Sequence, residues 1–478
     1  MNEITRLTAD DLGRAFAAGK LSPVEVAQDH LARIEAVEAA VNAFVHRDRE
    51  TTLAKAQASE ARWRAGKPLS PIDGVPVTIK DNLAVAGWPN RRGSAVSSPS
   101  PEAQDCPVAG KLRDAGTVFL GKTTMPEYGW KGCADSPLTG MTRNPWDLST
   151  SPGGSSSGAA VCAALNLGCI HLGTDGAGSI RIPAAFTGVF GIKTSFGRVP
   201  AYPISTMGVL AHLGPLTRTV RDSALALDII ARPDARDMMV TLPPENFVAA
   251  LDHDRHARDL KGLRIAYSPN LGFDVEVDPD IARLTREAVD VLISLGAEVE
   301  EADPGFADPI EPLMTLWASG AALALVSIPA ADQARMDPGL VDIARMGEGM
   351  PASRYVEALL YARNTLAMRM NAFHDRFDLL VTPTLPLPAF EAGCLTPGHG
   401  RYGSDWTRWT PFTYPFNLTQ QPAASIPSGL TRDGLPAGLQ IIGRYGADRL
   451  VMAAAEAFEK ARPFAPISAP QSGVKVAR

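Results

Sequence analysis

Between Gly74 and Ser195 the chain repeats one texture: short apolar runs, GVPVTIKDNL, TVFLGKT, CIHLGTD and VFGIKTS, each broken by glycine and closed by polar residues. Runs this short, flanked this way, predict buried strands of a core sheet with loops at their ends. The texture returns over 262–303, where RIAYSP, DIARLTREAVDVLISLG with its glycine stop, and AEVEEAD predict strand, helix and strand. RFDLLVTPT predicts another core strand, and ASIPSGLTRDGLPAGLQIIG predicts two strands joined by a turn, before a last helix from Asp448 to Lys460. The first 65 residues read as helical instead. Thr8 with Asp11 has the pattern of a capping box, and Ser22 with Pro23 opens an amphipathic stretch through Val26, Leu31 and Ile34. An α/β architecture follows. With no internal repeat and no linker between 65 and 460, residues 1–478 read as one large domain with a helical N-terminal region, 1–65, and the tail PFAPISAPQSGVKVAR reads as frayed.

Bulk properties narrow the function. A chain of 478 residues, 45% hydrophobic and 21% charged, can bury a substantial core, and a formal net charge of -6 gives no attraction to nucleic acid or an anionic membrane. Neither is expected as a partner; small, weakly charged molecules are. The five cysteines, Cys106, Cys133, Cys162, Cys169 and Cys394, are odd in number and lack C-x-x-C spacing, which argues against a disulfide framework or a zinc site. A reducing, cytoplasmic setting fits them. The start, MNEITRLTADDLGRAF, puts acids where a signal peptide would be basic and then apolar, and no run approaches the roughly 18 apolar residues of a membrane span. His253 and His256 lie in the charged run ALDHDRHARDLKG, which reads as a solvated helix, so no metal is expected.

Residues 151–182, SPGGSSSGAAVCAALNLGCIHLGTDGAGSIRI, crowd serines and glycines around one apolar segment with a single histidine. Taken alone they could be a flexible linker. GSSSG at 154–158 fits the G-x-S-x-G elbow, with Ser156 as nucleophile, but an elbow needs an apolar strand before it and NPWDLSTSP is not one. A phosphate loop needs a lysine after its glycines, and Ser157-Gly158-Ala159 has none. S-x-x-K occurs as Ser472 and Lys475, in the tail, and H-E-x-x-H does not occur. What remains is a nucleophilic serine with a base other than histidine. Lys80 closes the run Val75 to Ile79 and would sit at a buried strand end, where a neutral amine can accept a proton. A surface lysine at a strand terminus is an equally open reading.

Three segments together, GVPVTIKDN, PGGSSSGAA and GTDGAGSIRIPA, closely resemble the amidase signature family, whose members hydrolyse amides with a Ser-Ser-Lys triad. GPLTRTVRD at 214–222, and NLTQQPAASIPSG through GLPAGLQIIG at 417–443, resemble further family segments, so the likeness spans nearly the whole chain. The intervals match too, with 75 residues from Lys80 to Ser155 and 24 more to Ser179. The resemblance implies a large central mixed β-sheet covered by helices on both faces. It implies Lys80 as general base, Ser155 as a bridging serine with a cis peptide bond, and Ser179 as the nucleophile that accepts the acyl group. The backbone N–H groups of Gly176, Ala177, Gly178 and Ser179 are implied as the oxyanion hole. Ser156 is implied as a supporting hydroxyl, Asp175 as the anchor of the turn and Arg181 as holding the site through polar contacts, with a local structural ion pair as the alternative for the last two. Gly176-Ala177 departs from the family's commonest spelling, a bulkier residue then Gly-Gly, and alanine restricts positive φ. A helix beginning near Ser156 would point its N-terminal dipole at the serines.

The chemistry is coherent on physical grounds. Ser179 attacks a carbonyl only if its proton leaves, and Lys80 takes that proton only when uncharged, so its amine must come down from about 10.4 towards about 7 to 8. The implied reaction is hydrolysis of a small or aryl/acyl amide to a carboxylic acid plus ammonia or amine, without cofactor or metal, and with esters or carbamates as side substrates. The alternatives are an amidotransferase A-type subunit working with partner subunits on glutamine, an allophanate or carbamoyl hydrolase, and a non-catalytic binding protein on the same fold. The presence of all three triad residues weighs against the last. Met125, Tyr128 and Trp130, with Trp406, Trp409 and Phe412, are candidates to line a pocket for an apolar or aryl substrate; ordinary core is their alternative. A monomer or homodimer is expected.

Overall fold

In a computed structural model, residues 4–470 apart from 399, 466 and 468 are described. Strands β1 (Phe44–His46), β2 (Pro76–Lys80) and β3 (Val118–Thr123) precede a two-stranded ribbon of β4 (Asp135–Ser136) and β5 (Gly140–Met141). Then come β6 (Ile170–Asp175), β7 (Phe190–Lys193), β8 (His212–Thr217), β9 (Arg264–Tyr267) and β10 (Glu298–Glu301), followed by β11 (Leu379–Pro383), β12 (Ala423–Leu430) and β13 (Pro436–Gly443). All but the ribbon form one eleven-stranded sheet in the order β1-β3-β2-β6-β8-β7-β12-β13-β11-β9-β10. Pairing is mixed: β2 runs parallel to β3 and β6, whereas β6 and β8, and β12 with both its neighbours, are antiparallel.

The strands alternate between two apolar layers, as a period of two requires. Leu379 and Val381 face one layer with Ile441, while Leu380 faces the other with Ile442. Interior strands are mostly buried, β2 and β13 entirely, and the edge strand β10 reads EVEE and is mostly exposed, a charged edge that resists further pairing. Helices α1 (Ala9–Ala17), α2 (Pro23–Val41) and α3 (Arg49–Arg64) form the N-terminal region. The capping box expected at Thr8 is present, and a second forms at Ser22. Thr8 accepts from Asp11 N at 3.0 Å, and Ser22 N donates to Glu25 at 2.9 Å with Pro23 opening the helix. The strand–helix–strand unit expected over 262–303 is β9, a helix at Pro279–Ser294 and β10, and the last helix spans Asp448–Ala461.

Helix α4 (Pro107–Asp114) packs against the layer that contains Val77 and Ile79, and α5 (Ser157–Leu165) and α6 (Arg181–Thr187) pack on the opposite one. Every residue of α5 is buried, which explains why its sequence, SGAAVCAAL, has no polar face. All five cysteines are unpaired. Among the described residues no cluster of His, Cys, Asp or Glu could hold a metal ion, and no helix is long and apolar enough to cross a membrane. His253 ends a short helix and is exposed. Ser472, Lys475 and the end of the tail lie outside the described residues.

Candidate active site

Lys80 is the last residue of β2, and its buried side chain sits between the ends of the neighbouring strands and the start of α5. Its Nζ lies 2.7 Å from Ser155 Oγ, 3.0 Å from Ser156 Oγ and 2.9 Å from Thr174 Oγ1. Thr174, on β6, also accepts from Asn82 Nδ2 at 3.1 Å. Ser156 N donates to Ser179 O at 3.0 Å, which ties the start of α5 to the turn after β6. The Gly154–Ser155 peptide bond is cis. Glycine is required around it. A Cβ at Gly154 would lie 2.1 Å from Cys133 O, and one at Gly129 would lie 3.0 Å from Ser155 Oγ.

Complete burial lowers the Lys80 amine to about 7, against the opposing charge of Asp175. The amine can therefore lose its proton near neutral pH. That rules out the surface-lysine alternative.

The turn from Asp175 to Arg181 is held from several directions. Asp175 Oδ1 accepts from Gly178 N at 2.7 Å and Arg181 Nη2 at 2.9 Å, and Oδ2 accepts from Ile180 N at 3.1 Å and Arg181 Nε at 3.0 Å. Arg181, itself fully buried, reaches onward to Thr413 O and Gln440 Oε1, both at 2.8 Å, and to Asn417 Oδ1 at 2.6 Å. Burial alone would raise the Asp175 carboxyl, but the adjoining Arg181 guanidinium, with Lys193 and Asn417, holds it well below the usual range. Thr413 Oγ1 donates to Ala177 O at 2.7 Å. The alanine spelling is accommodated without strain, because positive φ falls at Gly178 (φ 126) and not at Ala177.

Ser155 and Ser179 line one cavity of about 140 Å³, together with Asn82, Arg92, Tyr128 and Trp317. The segment from Pro200 to Ala211 forms another wall. Of the aromatic and sulfur side chains expected there, Tyr128 is present and the others are not. Met125 is buried beside Gly129 and contributes backbone next to Gly93. Trp130 packs its indole against Gly339. Trp409 stacks on Phe186, ring centroids 5.9 Å apart, Trp406 meets Trp317 edge-on, and Phe412 is core. These rings pack behind the site. Trp317, which does line the cavity, comes from the helix Ile310–Leu325 and carries no local motif. Thr174, Thr413, Asn417 and Gln440 also join the site without being expected from the sequence; the last three lie in or beside the segment 417–443 that resembles the family, which is their one available signal.

A family model described as Amidase matches residues 25–452. An acylamidase of Rhodococcus erythropolis is 37% identical over 469 residues, covering 96% of each chain. A glutamyl-tRNA(Gln) amidotransferase component from Salinispora arenicola is 34% identical, covering 98% of this chain and 99% of that one. The crystal structure of a bacterial aryl acylamidase of the amidase signature enzymes family superposes with a TM-score of 0.88 at 31% identity, covering 96% of both chains. With this match in sequence and fold along nearly its whole length, the chain belongs to the amidase signature family and is an amidase, a hydrolase of carbon–nitrogen bonds in linear amides.

Proposed function

We propose that this amidase hydrolyses small aryl or acyl amides through an acyl-enzyme on Ser179, with Ser155 as proton bridge and Lys80 as base. The observation that carries the reading is the buried Lys80 amine, brought to about 7 and 2.7 Å from Ser155 Oγ. Ser156 Oγ donates to Thr174 O at 3.2 Å, so towards Lys80 it accepts. A neutral amine that gives its two N–H groups to Ser156 and Thr174 aims its lone pair at Ser155.

Ser179 Oγ bonds to the amide carbon while its proton passes to Ser155, whose own proton passes to Lys80. The carbonyl oxygen becomes negative and is met by preorganised N–H donors. Gly178 N–H is held by Asp175, so in this arrangement Gly176, Ala177 and Ser179 are the donors. The C–N bond then breaks, the relay returns a proton to the departing nitrogen, and an ester remains on Ser179. Water attacks that ester, gives a proton to the same relay and releases the acid as Ser179 recovers its hydrogen. Esters and carbamates fit the same route.

The aryl or acyl preference is supported by the likeness to the two acylamidases and by the Tyr128 and Trp317 rings in the cavity. Independent action as a monomer or homodimer in the cytoplasm completes the reading, and the free thiols suit that setting. Mass spectrometry of the purified chain mixed with an amide panel tests it. An acyl adduct on Ser179 is expected, without glutamine or partner proteins, and Ser179→Ala, Lys80→Ala and Ser155→Ala should each lower turnover by several orders of magnitude. Activity retained in Ser179→Ala but lost in Ser156→Ala would overturn the assignment. Turnover only of glutamine with added partner proteins would favour the amidotransferase role.

A further inference from the structure

Two adjacent arginines follow the Asp81 turn and behave differently. Arg91 folds back on its own loop, Nη2 lying 3.4 Å from Ser94 O and 3.3 Å from Ala95 O. Arg92 lines the cavity that holds Ser155 and Ser179, and it also lines an adjoining polar hollow with Ser97, Ser98, Ser100 and Tyr128. It therefore stands where the two meet. Of the cavity's charged lining residues, Asp175 is paired by Arg181, while Arg92 has no ion-pair partner among the described residues.

The backbone is built to hold it there. Arg92 (φ 54) and Tyr128 (φ 51) both adopt the left-handed conformation that such side chains rarely take, and Tyr128 N donates to Arg92 O at 2.8 Å. Asp81 accepts from Arg91 N at 3.2 Å and Gly93 N at 2.9 Å. Gly93 (φ 67) is wedged so closely that a Cβ would sit 2.4 Å from Met125 O. Conformations of this kind persist where surrounding structure enforces them, and they concentrate at ligand clamps.

We propose that Arg92 is an anion subsite of this amidase, taking a carboxylate carried by the amide substrate on its acyl or its amine half. A guanidinium matches a carboxylate with two parallel N–H···O bonds, and Arg92, half-buried at the cavity mouth and without an ion-pair partner among the described residues, is placed to make them. The Tyr128 and Ser97 hydroxyls, 3.4 Å apart, border the same place and can donate to the remaining carboxylate lone pairs. Glu102 lines the same hollow but forms no ion pair with Arg92, so an anion arriving at the guanidinium displaces no ion-pair partner among the described residues. The inference rests on the reading of Ser179 as nucleophile in the shared cavity.

Binding to the Ser179→Ala protein tests it without turnover. Two matched pairs serve as probes: 4-carboxybutyryl anilide against pentanoyl anilide, and N-acetyl-4-aminobenzoate against 4-methylacetanilide. In at least one pair the carboxylate is expected to bind about tenfold or more tightly by calorimetry at low salt, and the preference should shrink severalfold near 0.5 M salt, roughly where screening is strong. Adding Arg92→Asn, a residue that tolerates the left-handed conformation, should bring the pair to within about twofold. Arg92→Lys, which keeps the charge and loses the fork, should fall between. No preference in either pair, a preference indifferent to salt, or one that survives Arg92→Asn in a protein with native circular dichroism overturns the proposal. The salt comparison needs no Arg92 variant to fold. Amide cleavage surviving in Ser179→Ala would fail the nucleophile reading instead, and the binding ratio would still judge Arg92.

Discussion

At Lys80 two requirements compete: a lysine wants to be charged in water, and this one is enclosed by hydroxyls at the end of β2. Enclosure wins, taking the amine to about 7. The sign for catalysis follows. Below that value Lys80 carries its proton and cannot accept another; above it the lone pair is available. For a neutral amide, kcat/KM should climb about tenfold per pH unit below about 7 and level off above. A profile that is flat or falling between pH 5.5 and 8 would remove Lys80 as the base. At this scale the chain is readable where chemistry restricts the residue type. Lys80 stands out by its residue type at a strand end, Ser155, Ser179, Asp175 and Arg181 are named by the resemblance of their segments to the family, and the structure brings all of them to one place, within a set of contacts and one cavity. Trp130 and Trp409 mislead, because an indole suits a core as well as it suits a ligand, and nothing local distinguishes the two.

Among the elements, α5 best connects sequence to site. Its small residues let it sink wholly into the molecule, so that the two residues just before its first turn, Ser155 and Ser156, meet the end of β2. Gly158 is the tightest point. A Cβ there would lie 2.2 Å from Ala43 O and 2.7 Å from Thr124 N, both backbone atoms that cannot swing aside. Alanine ordinarily gains up to about 1 kcal/mol over glycine inside a helix, but overpacking against fixed neighbours costs roughly 1–3 kcal/mol. Gly158→Ala is therefore expected to lower the thermal midpoint, measured by calorimetry, and to reduce activity by shifting both serines. A raised midpoint would show that the helix has room to move. The strands are readable from apolar runs ended by glycine, and the N-terminal helices from their caps. The helix carrying Trp317 into the cavity is not, since its placement depends on what it packs against.

On the scale of the molecule, the site draws on distant parts of the chain. Arg181 is held by Thr413, Asn417 and Gln440, more than 230 residues away in sequence, and a single sheet carries strands from residue 44 to residue 443. A site supported this way should not outlive the sheet. In urea, loss of activity, tryptophan fluorescence and far-ultraviolet circular dichroism should coincide in one transition. Activity lost well before the sheet would mean that the cavity wall at 200–211 or the 405–420 segment opens by itself. An early second transition in circular dichroism would divide the proposed single domain.

Local order decided much of this protein in advance. Apolar period, glycine stops and caps act over a few residues, and the segments that resemble the amidase signature family keep their order along the chain, so the α/β class could be written down from the sequence and the triad candidates from that resemblance. Long-range packing decided the rest. Which side chains wall the cavity, which rings retreat into the core, and that Arg92 stands at the mouth depend on surfaces meeting across hundreds of residues. Those contacts are set by shape and burial, quantities that no short stretch of sequence contains.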